Sequence, residues 1–487
     1  MRINTHWTDS KAFRFGFPAF LFLASFLLKL YIFTQNPYAN GWDGYFYIVQ
    51  VKSWIEEGQM HSSRISLFYP LLLFLYFLTD YELAYQLISA LAAGLFSLAI
   101  YQVGVLLAGS RNLLTPMMIA GYSAISFHLT YFAAQFPKNL LGLAFLLWFL
   151  LALFQEKYIR AGIFLVLNLL IHKLTGGLAL VLFLLYPLIR HRAKFLLYSS
   201  IAAASIMLAS GFFFPQILSI ADFQREGFAL TAVPGLPFLS MQASYGETMH
   251  AWWLTEIFFI NLAFITTIPF LIFQNRPDKH RFILLGIFLF VLTFPFLEWS
   301  FFGLSLRLYM LFIALAPLMM CMVRIRNTPK TSWLLLMPFF LAGAYSTRAY
   351  SYKEFDPPYS LYHSLSKDIE QLKGQHSFEL LIGHKALAEY VTFRTGIDVL
   401  PWIPEYEIEV DALWRIATGL RKKTVEFYLG KDTDIYELSP SYILLREDKW
   451  QELLRYIEED DPELYEDLCT WKNPYEIRPA YLLKNKK

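Results

Sequence analysis

Asp43 is the residue whose type and setting best fit a base. It lies in the segment Asn40-Gly41-Trp42-Asp43-Gly44, just before residues 45–55, whose pattern predicts a helix. A carboxylate at the head of a helix faces backbone N–H groups, which favour its ionised form. An ionised carboxylate can accept the proton of a hydroxyl group. The alternative is that Asp43 serves only as a helix N-cap.

Four basic or imidazole side chains occur where apolar runs begin, and we call them the basic cluster. They are Lys138, His172, Lys173 and Arg307. A lysine buried at membrane depth costs about 3 kcal/mol or more unless it is hydrated or paired. A single such cation can instead extend to the membrane surface, and His172 alone can be a satisfied histidine at a helix end. Together the four predict an anionic ligand with an apolar tail, and a lipid phosphate has both properties.

The weaker candidates are aromatic and acidic residues of the same loop as Asp43. Trp42 and Tyr45 could stack on a sugar, but aromatic residues also line every membrane interface. Glu56 and Glu57 are either a solvated helix face or a second base or metal site. No cofactor is identified with certainty, and whether a divalent cation assists Glu56 or Glu57 stays open.

One acid beside several cations indicates group transfer from a phosphate leaving group to a hydroxyl acceptor. Cations can stabilise a departing phosphate without a proton donor, so a single general base suffices. Glycoside hydrolysis ordinarily needs two carboxylates that face each other.

These residues must be positioned by membrane helices, because the chain is 56% hydrophobic and only 16% charged. Eleven apolar runs are candidate spans. They are 13–34, 81–108, 112–131, 139–154, 161–171, 174–189, 195–214, 252–273, 282–297, 304–323 and 332–346. The run 67–78 is too short to span and predicts a helix at the membrane surface.

The charges of the connecting segments predict the orientation. With the N-terminus in the cytoplasm, 15 of the 23 basic residues up to position 350 fall on the cytoplasmic side. We therefore expect a multi-pass protein of the inner (plasma) membrane with an extracytoplasmic C-terminal domain. The arms 161–171 and 174–189 are short, so the turn 172–177 between them should lie below the outer surface.

The composition changes after residue 350 and divides the chain into two predicted domains. Residues 1–350 form the transmembrane domain, with its first outer loop at 35–66. Residues 351–487 carry 26 acidic and 18 basic side chains, and their short apolar runs predict a small α/β domain. The overall charge of +2 gives no reason to expect a nucleic-acid partner. Two cysteines indicate neither a disulfide framework nor a thiolate metal site.

These features resemble the GT-C class of polytopic glycosyltransferases, which includes protein mannosyltransferases and lipid A aminoarabinose transferases. The resemblance covers about residues 13 to 346. It rests on Asp43 in the first outer loop, the pair Tyr69-Pro70, the turns Phe136-Pro137-Lys138-Asn139 and His172-Lys173-Leu174-Thr175, and the extracytoplasmic tail. It implies that Asp43 is the catalytic base and that the donor is a sugar on a polyprenyl or dolichyl phosphate. It also suggests that Lys138, Lys173 and Arg307 contact the phosphate.

Two features differ from many members of that class. Asp43 is followed by Gly44 rather than by a second acid, and residues 131–139 of the second outer loop contain no acid. The acceptor can be protein, lipid or glycan. The main alternative is a transporter or flippase of an anionic lipid-linked substrate, although no paired internal repeats are evident. A non-catalytic scaffold is a third interpretation.

Overall fold

The computed structural model describes residues 11–61, 66–109, 113–190, 198–201, 228–230, 251–273, 279–293, 297–299, 304–322, 357–373, 381–397, 399–402, 442–446, 458, 466 and 480–484. The chain divides into two compact units. The first unit is Met1–Pro37 with Ile65–Phe355, and the second is Tyr38–Arg64 with Asp356–Lys487. Residues 38–64 of the first outer loop therefore belong to the same unit as the C-terminal residues, whereas the predicted boundary near residue 350 grouped that loop with the transmembrane domain.

The described part of the first unit is mainly helical. Its helices are α1 (Lys11–Phe33), α3 (Phe68–Tyr76), α4 (Tyr81–Ala108), α5 (Leu114–Ile125), α6 (Phe127–Gln135), α7 (Pro137–Phe154), α8 (Tyr158–Ile171), α9 (Lys173–Ile189), α10 (Ala251–Phe273), α11 (Lys279–Leu292) and α12 (Leu304–Leu315). A 3₁₀ helix, Ala316–Met322, continues α12. Two short strands, β1 (Phe228–Leu230) and β2 (Leu297–Trp299), pair antiparallel.

Helix α4 is the central element of the first unit, because it packs against α1, α3, α5, α6 and α7. It begins at the N-cap Asp80, whose carboxylate accepts a hydrogen bond from the Leu83 N–H at 2.7 Å. It ends at Gly109, whose φ of +75° lies in the left-handed region. At Gly94 the backbone is so close to Phe22 of α1 that a Cβ would lie 3.1 Å from its ring. Small residues in α4 thus allow α1 to pack closely.

Three helices of the described residues are long and apolar enough to cross a membrane. They are Gly16–Phe33, Tyr81–Ala108 and Pro137–Phe154. Six shorter apolar helices accompany them. The helices and their composition are those of a polytopic membrane protein, and the number of spans stays a prediction. Run 332–346 and most of run 195–214 lie outside the described residues.

The predicted run 112–131 is two helices, because the chain turns at Ser126 between α5 and α6. Ser126 has φ −58° and ψ 129°, which is not helical, and its Oγ accepts from the Leu129 N–H at 3.1 Å. The prediction of an irregular turn over 172–177 is wrong beyond its first residue, since α9 begins at Lys173. Only His172 separates α8 from α9.

A buried polar network connects α1, α5, α6 and α10. The Lys29 ammonium of α1 donates to Thr130 Oγ1, and to the Ser126 carbonyl at 3.4 Å. Glu256 of α10 accepts from Tyr122 and from the Ser126 hydroxyl, and its second oxygen accepts from the His128 N–H at 3.1 Å. Lys29 and Glu256 are both fully buried and their opposite charges interact. Ser126 therefore contacts both the Lys29 ammonium of α1 and the Glu256 carboxylate of α10. Each of these charges would be costly to bury without the other.

The described part of the second unit contains three helices and one mixed sheet. The helices are α2 (Gly44–Glu57), α13 (Tyr359–Lys373) and α14 (Lys385–Thr395). The strands β3 (Leu381–His384), β4 (Val399–Trp402), β5 (Tyr442–Arg446) and β6 (Ala480–Lys484) lie in the order β4-β3-β5-β6. Strand β3 is parallel to β4 and to β5, and β5 is antiparallel to β6. Helix α14 packs on α2, on α13 and on the sheet.

The buried polar network predicts that removing one of its two charges destabilises the protein more than removing both. Glu256→Ala should lower the free energy of unfolding by about 3 kcal/mol or more, because it leaves the Lys29 charge buried without its anion. The double variant Lys29→Met with Glu256→Ala should be more stable than Glu256→Ala alone, since it removes both charges. Denaturant titration of the purified protein in detergent measures both.

Thr266→Ala is the matched control within α10. Its side chain is exposed and donates only to backbone carbonyls of its own helix, such as that of Leu262 at 2.8 Å. It should change the free energy of unfolding by less than about 0.5 kcal/mol. A double variant less stable than Glu256→Ala would show that the two charges do not depend on each other.

Candidate functional site

The junction of α8 and α9 is the centre of the basic cluster. His172 is extended, with φ −148° and ψ 116°, and its Nδ1 accepts a hydrogen bond from the Thr175 N–H at 3.4 Å. The Thr175 hydroxyl donates to Asn168 Oδ1 at 2.8 Å, and the Asn168 amide donates to the Thr175 carbonyl at 3.1 Å. These bonds close the end of α8 onto the start of α9, so the direction of the imidazole is fixed by its own helix cap.

Helix α7 approaches this junction at Gly142. A Cβ there would lie 2.9 Å from the His172 Cβ and closer still to the Thr175 hydroxyl. Only glycine fits this contact without a shift of its neighbours, so it brings the first turns of α7 and α9 together. The first turn of α7 carries Lys138, and the first residue of α9 is Lys173.

The start of α3 is attached to the end of α8. The Ser66 hydroxyl donates to the Ile171 carbonyl at 2.7 Å, and the Leu67 N–H donates to the Leu170 carbonyl at 2.9 Å. Tyr69, in the first turn of α3, is buried, and the Lys138 ammonium lies 5.3 Å from the centre of its ring. This geometry is that of a cation–π contact.

Arg307 completes the basic cluster from the first turn of α12. Its side chain is exposed, whereas those of Lys138, His172 and Lys173 are half-buried. The positive charges of Lys138 and Arg307 act on the His172 ring. The structure therefore brings together residues of three helices that are far apart in the sequence.

Asp43 belongs to the second unit and begins α2. It occupies the N-cap position with φ −96° and ψ 0°, and its side chain makes no capping hydrogen bond. Asp80, the corresponding residue of α4, makes that bond. Asp43 is therefore the N-cap residue of α2 by position, as the alternative expected, but without the side-chain capping bond, and its carboxylate is half-buried.

The weaker candidates of the loop differ in exposure. Tyr45 is fully buried among aromatic rings, so the prediction that it contacts a sugar is disfavoured by the burial of its whole side chain. Trp42 is half-buried. Glu56 and Glu57 are exposed at the end of α2, and Glu56 lies 4.0 Å from the Lys52 ammonium. Both acids lie on a solvated helix face, and a role as second base, metal ligand or acceptor contact stays a prediction.

No group of three or more His, Cys, Asp or Glu side chains that could hold a metal ion occurs within the described ranges.

Several residues around the candidates were not singled out from the sequence. Asn168 and Thr175 fix the turn, and Gly142 permits its contact with α7. The sequence signal for the turn was the short length of both apolar arms. Tyr359 and Tyr390, which contact the loop of Asp43, had no such signal, because they lie more than 300 residues away in the chain.

Comparison with known proteins identifies the fold. No protein-family model and no curated protein matches the sequence. The crystal structure of apo ArnT from Cupriavidus metallidurans matches 96% of this chain and 97% of its own, with a TM-score of 0.56 at 10% identity. ArnT of the same organism bound to undecaprenyl phosphate matches 99% and 98%, with a TM-score of 0.54 at 12% identity. The chain thus has the fold of ArnT, and the fold expected from the resemblance noted in the sequence is confirmed.

Two adjacent glycines of α9 give a test of the junction. A Cβ on Gly176 would lie 2.6 Å from the Leu169 Cα, whereas a Cβ on Gly177 would meet nothing within 4 Å. Gly176→Ala should therefore destabilise the protein by about 1 to 3 kcal/mol through overpacking. Gly177→Ala is the control and should stabilise α9 by up to about 1 kcal/mol. Thermal unfolding in detergent measures both, and equal effects would contradict the close approach of α8 and α9.

Proposed function

We propose that this chain, which shares the fold of ArnT, is a membrane glycosyltransferase. It moves a sugar from a polyprenyl-phosphate donor to a hydroxyl acceptor outside the cytoplasm. The observation that carries the proposal is the basic cluster, in which α7, α9 and α12 each carry a basic residue in their first turn. The N-terminus of a helix carries a partial positive charge, so a cation in the first turn is unfavourable there. An anion relieves that conflict on all three helices at once.

A phosphate is the anion that fits this arrangement best. Helix N-termini offer unpaired N–H groups to phosphate oxygens, and arginine and lysine add charge-assisted bonds. Lys138, His172, Lys173 and Arg307 are the proposed donor phosphate contacts. The residues lie on helices with apolar composition, so the phosphate should carry an apolar tail within the membrane. ArnT of Cupriavidus metallidurans, which shares this fold, binds undecaprenyl phosphate.

Asp43 is the proposed general base. The acceptor hydroxyl oxygen forms a bond with the anomeric carbon of the sugar, while the bond from that carbon to the phosphate oxygen breaks. The proton of the hydroxyl passes to the Asp43 carboxylate, and the polyprenyl phosphate leaves with the electron pair. The cations stabilise the charge that develops on the leaving phosphate. Trp42 is the residue of the loop that remains a candidate for contact with the sugar or acceptor.

We also propose that the protein lies in the inner (plasma) membrane. Its N-terminus is then cytoplasmic, and residues 351–487 lie on the extracytoplasmic side. The sugar is a hexose or pentose, and the acceptor is protein, lipid or glycan.

Asp43→Asn should abolish transfer while donor binding is kept. Loss of a general base lowers rates by about 10² to 10⁴-fold, so the donor should persist in cells that carry only this variant. Mass spectrometry of lipid extracts, from cells with the wild-type protein and with the variant, measures the loss of sugar from the polyprenyl phosphate. The purified variant should bind undecaprenyl phosphate as the wild type does.

Asp80→Asn is the matched control, because asparagine caps a helix as well as aspartate. It should leave the lipid profile unchanged. A folded Asp43→Asn variant that consumes the donor at the wild-type rate would exclude Asp43 as the base. If the donor instead changes membrane side without losing its sugar, the transporter alternative is supported.

The basic cluster should determine affinity for the lipid phosphate. A hydrogen bond to a charged group contributes about 1.5 to 3 kcal/mol, so Lys138→Met and Arg307→Gln should each weaken binding of undecaprenyl phosphate by roughly tenfold or more. Lys157→Met is the control, since Lys157 is exposed at the opposite end of α8 and donates to Gln155. Tryptophan fluorescence titration of the purified variants measures the dissociation constant. Wild-type affinity in both variants would remove these residues from the phosphate site.

A further inference from the structure

The turn that carries Asp43 is held from the C-terminal part of the chain. The Tyr359 hydroxyl, at the start of α13, donates to the Gly41 carbonyl at 2.5 Å. Gly41 has φ +78°, a conformation that L side chains rarely adopt. Tyr359 is 2% exposed, so water has little access to replace its hydroxyl. The direction of the Gly41 carbonyl is therefore set by a residue from another part of the second unit.

A second contact holds the chain on the other side of Asp43. Tyr45 is fully buried, and its ring centre lies 5.0 Å from that of Tyr359 and 4.6 Å from that of Tyr390. Both pairs are edge-to-face, which is a favourable arrangement of aromatic rings. The Phe393 ring lies 5.1 Å away on the same side of α14 as Tyr390. Gly41 and Tyr45 are each two residues from Asp43, so the backbone is fixed before and after it.

A third contact holds α2 further along its length. The Lys52 ammonium donates to the Phe393 carbonyl at 2.6 Å and lies 5.3 Å from the Phe393 ring centre. Rotation of α2 about its axis would break this bond as well as the packing of Tyr45. The helix that follows Asp43 is thus attached to α14 at two points.

These contacts matter because Asp43 is not oriented by its own helix. Its carboxylate makes no capping bond to the first turn of α2, which is the usual means of fixing an N-terminal aspartate. The backbone on which Asp43 sits therefore contributes to setting its position. That backbone is set by Tyr359 and by the aromatic rings around Tyr45.

We infer that Tyr359 is a positioning residue for the base, and that α13 and α14 hold Asp43 in its reactive position. This inference rests on the proposed function. A general base must reach the hydroxyl within about 2.6 to 3.2 Å, and a misplacement of about 1 Å can lower a rate by about 10²-fold. The C-terminal residues therefore contribute to the rate of transfer through the geometry of residues 41–45.

Tyr359→Phe is the direct test, because it removes the hydroxyl and keeps the ring that packs on Tyr45. Donor consumption in cells should fall by roughly tenfold, while the dissociation constant for undecaprenyl phosphate should stay within about twofold of the wild type. Hydrogen–deuterium exchange of residues 40–47 should become faster in the full-length protein, since the Gly41 carbonyl loses its partner. A general loss of stability would change binding and exchange throughout the chain instead.

Ser366→Ala is the matched control in α13. It also removes a buried hydroxyl that donates to a carbonyl, but that carbonyl belongs to His363 of the same helix, at 2.9 Å. It should leave donor consumption and the exchange of residues 40–47 unchanged. If Ser366→Ala loses as much as Tyr359→Phe, the effect is a general loosening of α13 and the inference is wrong.

The outcomes separate this inference from the proposed function. If Tyr359→Phe keeps both wild-type donor consumption and wild-type exchange while Asp43→Asn is inactive, the inference fails and the function stands. If Asp43→Asn consumes the donor at the wild-type rate, the function fails and the inference fails with it. Faster exchange of residues 40–47 in Tyr359→Phe would then show only that Tyr359 holds the turn.

Discussion

Positive charge at the positive ends of helices is the constraint on which the arrangement of the first unit depends. Lys138, Lys173 and Arg307 lie in first turns, where the helix dipole opposes a cation. The first turns that carry Lys138 and Lys173 cannot simply separate, because the close contact at Gly142 packs α7 against the junction of α8 and α9. Packing thus maintains an electrostatic conflict that a bound anion would resolve. The packing that forms the helix bundle therefore also produces a positively charged site that can bind an anion.

Three acids of this chain differ in burial and in the hydrogen bonds that their carboxylates accept. Asp80 caps α4 and is satisfied by its own helix. Glu256 is fully buried and accepts three hydrogen bonds, so its charge is committed to structure. Asp43 is half-buried and makes no capping bond. Asp43, which does not cap its own helix with its side chain, is the acid for which a chemical role is proposed.

Local features of the sequence predicted much of the helical part. The bounds of α4 agree with the apolar run 81–108, and α3 lies where a short surface helix was expected. The break at Ser126 was missed because the residues on both sides are equally apolar, so only the hydrogen bond of the serine hydroxyl distinguishes it. The grouping of residues 38–64 with the C-terminal residues was also missed. It depends on contacts such as that between Gly41 and Tyr359, which no local pattern can indicate.

The network around Ser126 has a consequence for how the protein is made. Lys29 enters the bilayer with the first helix, and its hydrogen-bond partners Ser126 and Thr130 follow about a hundred residues later. Glu256 is synthesised a further 130 residues after Ser126. During this interval the ribosome has delivered an ammonium group to the membrane without its counter-ion. The buried network that surrounds Lys29 is therefore complete only once α10 has been synthesised.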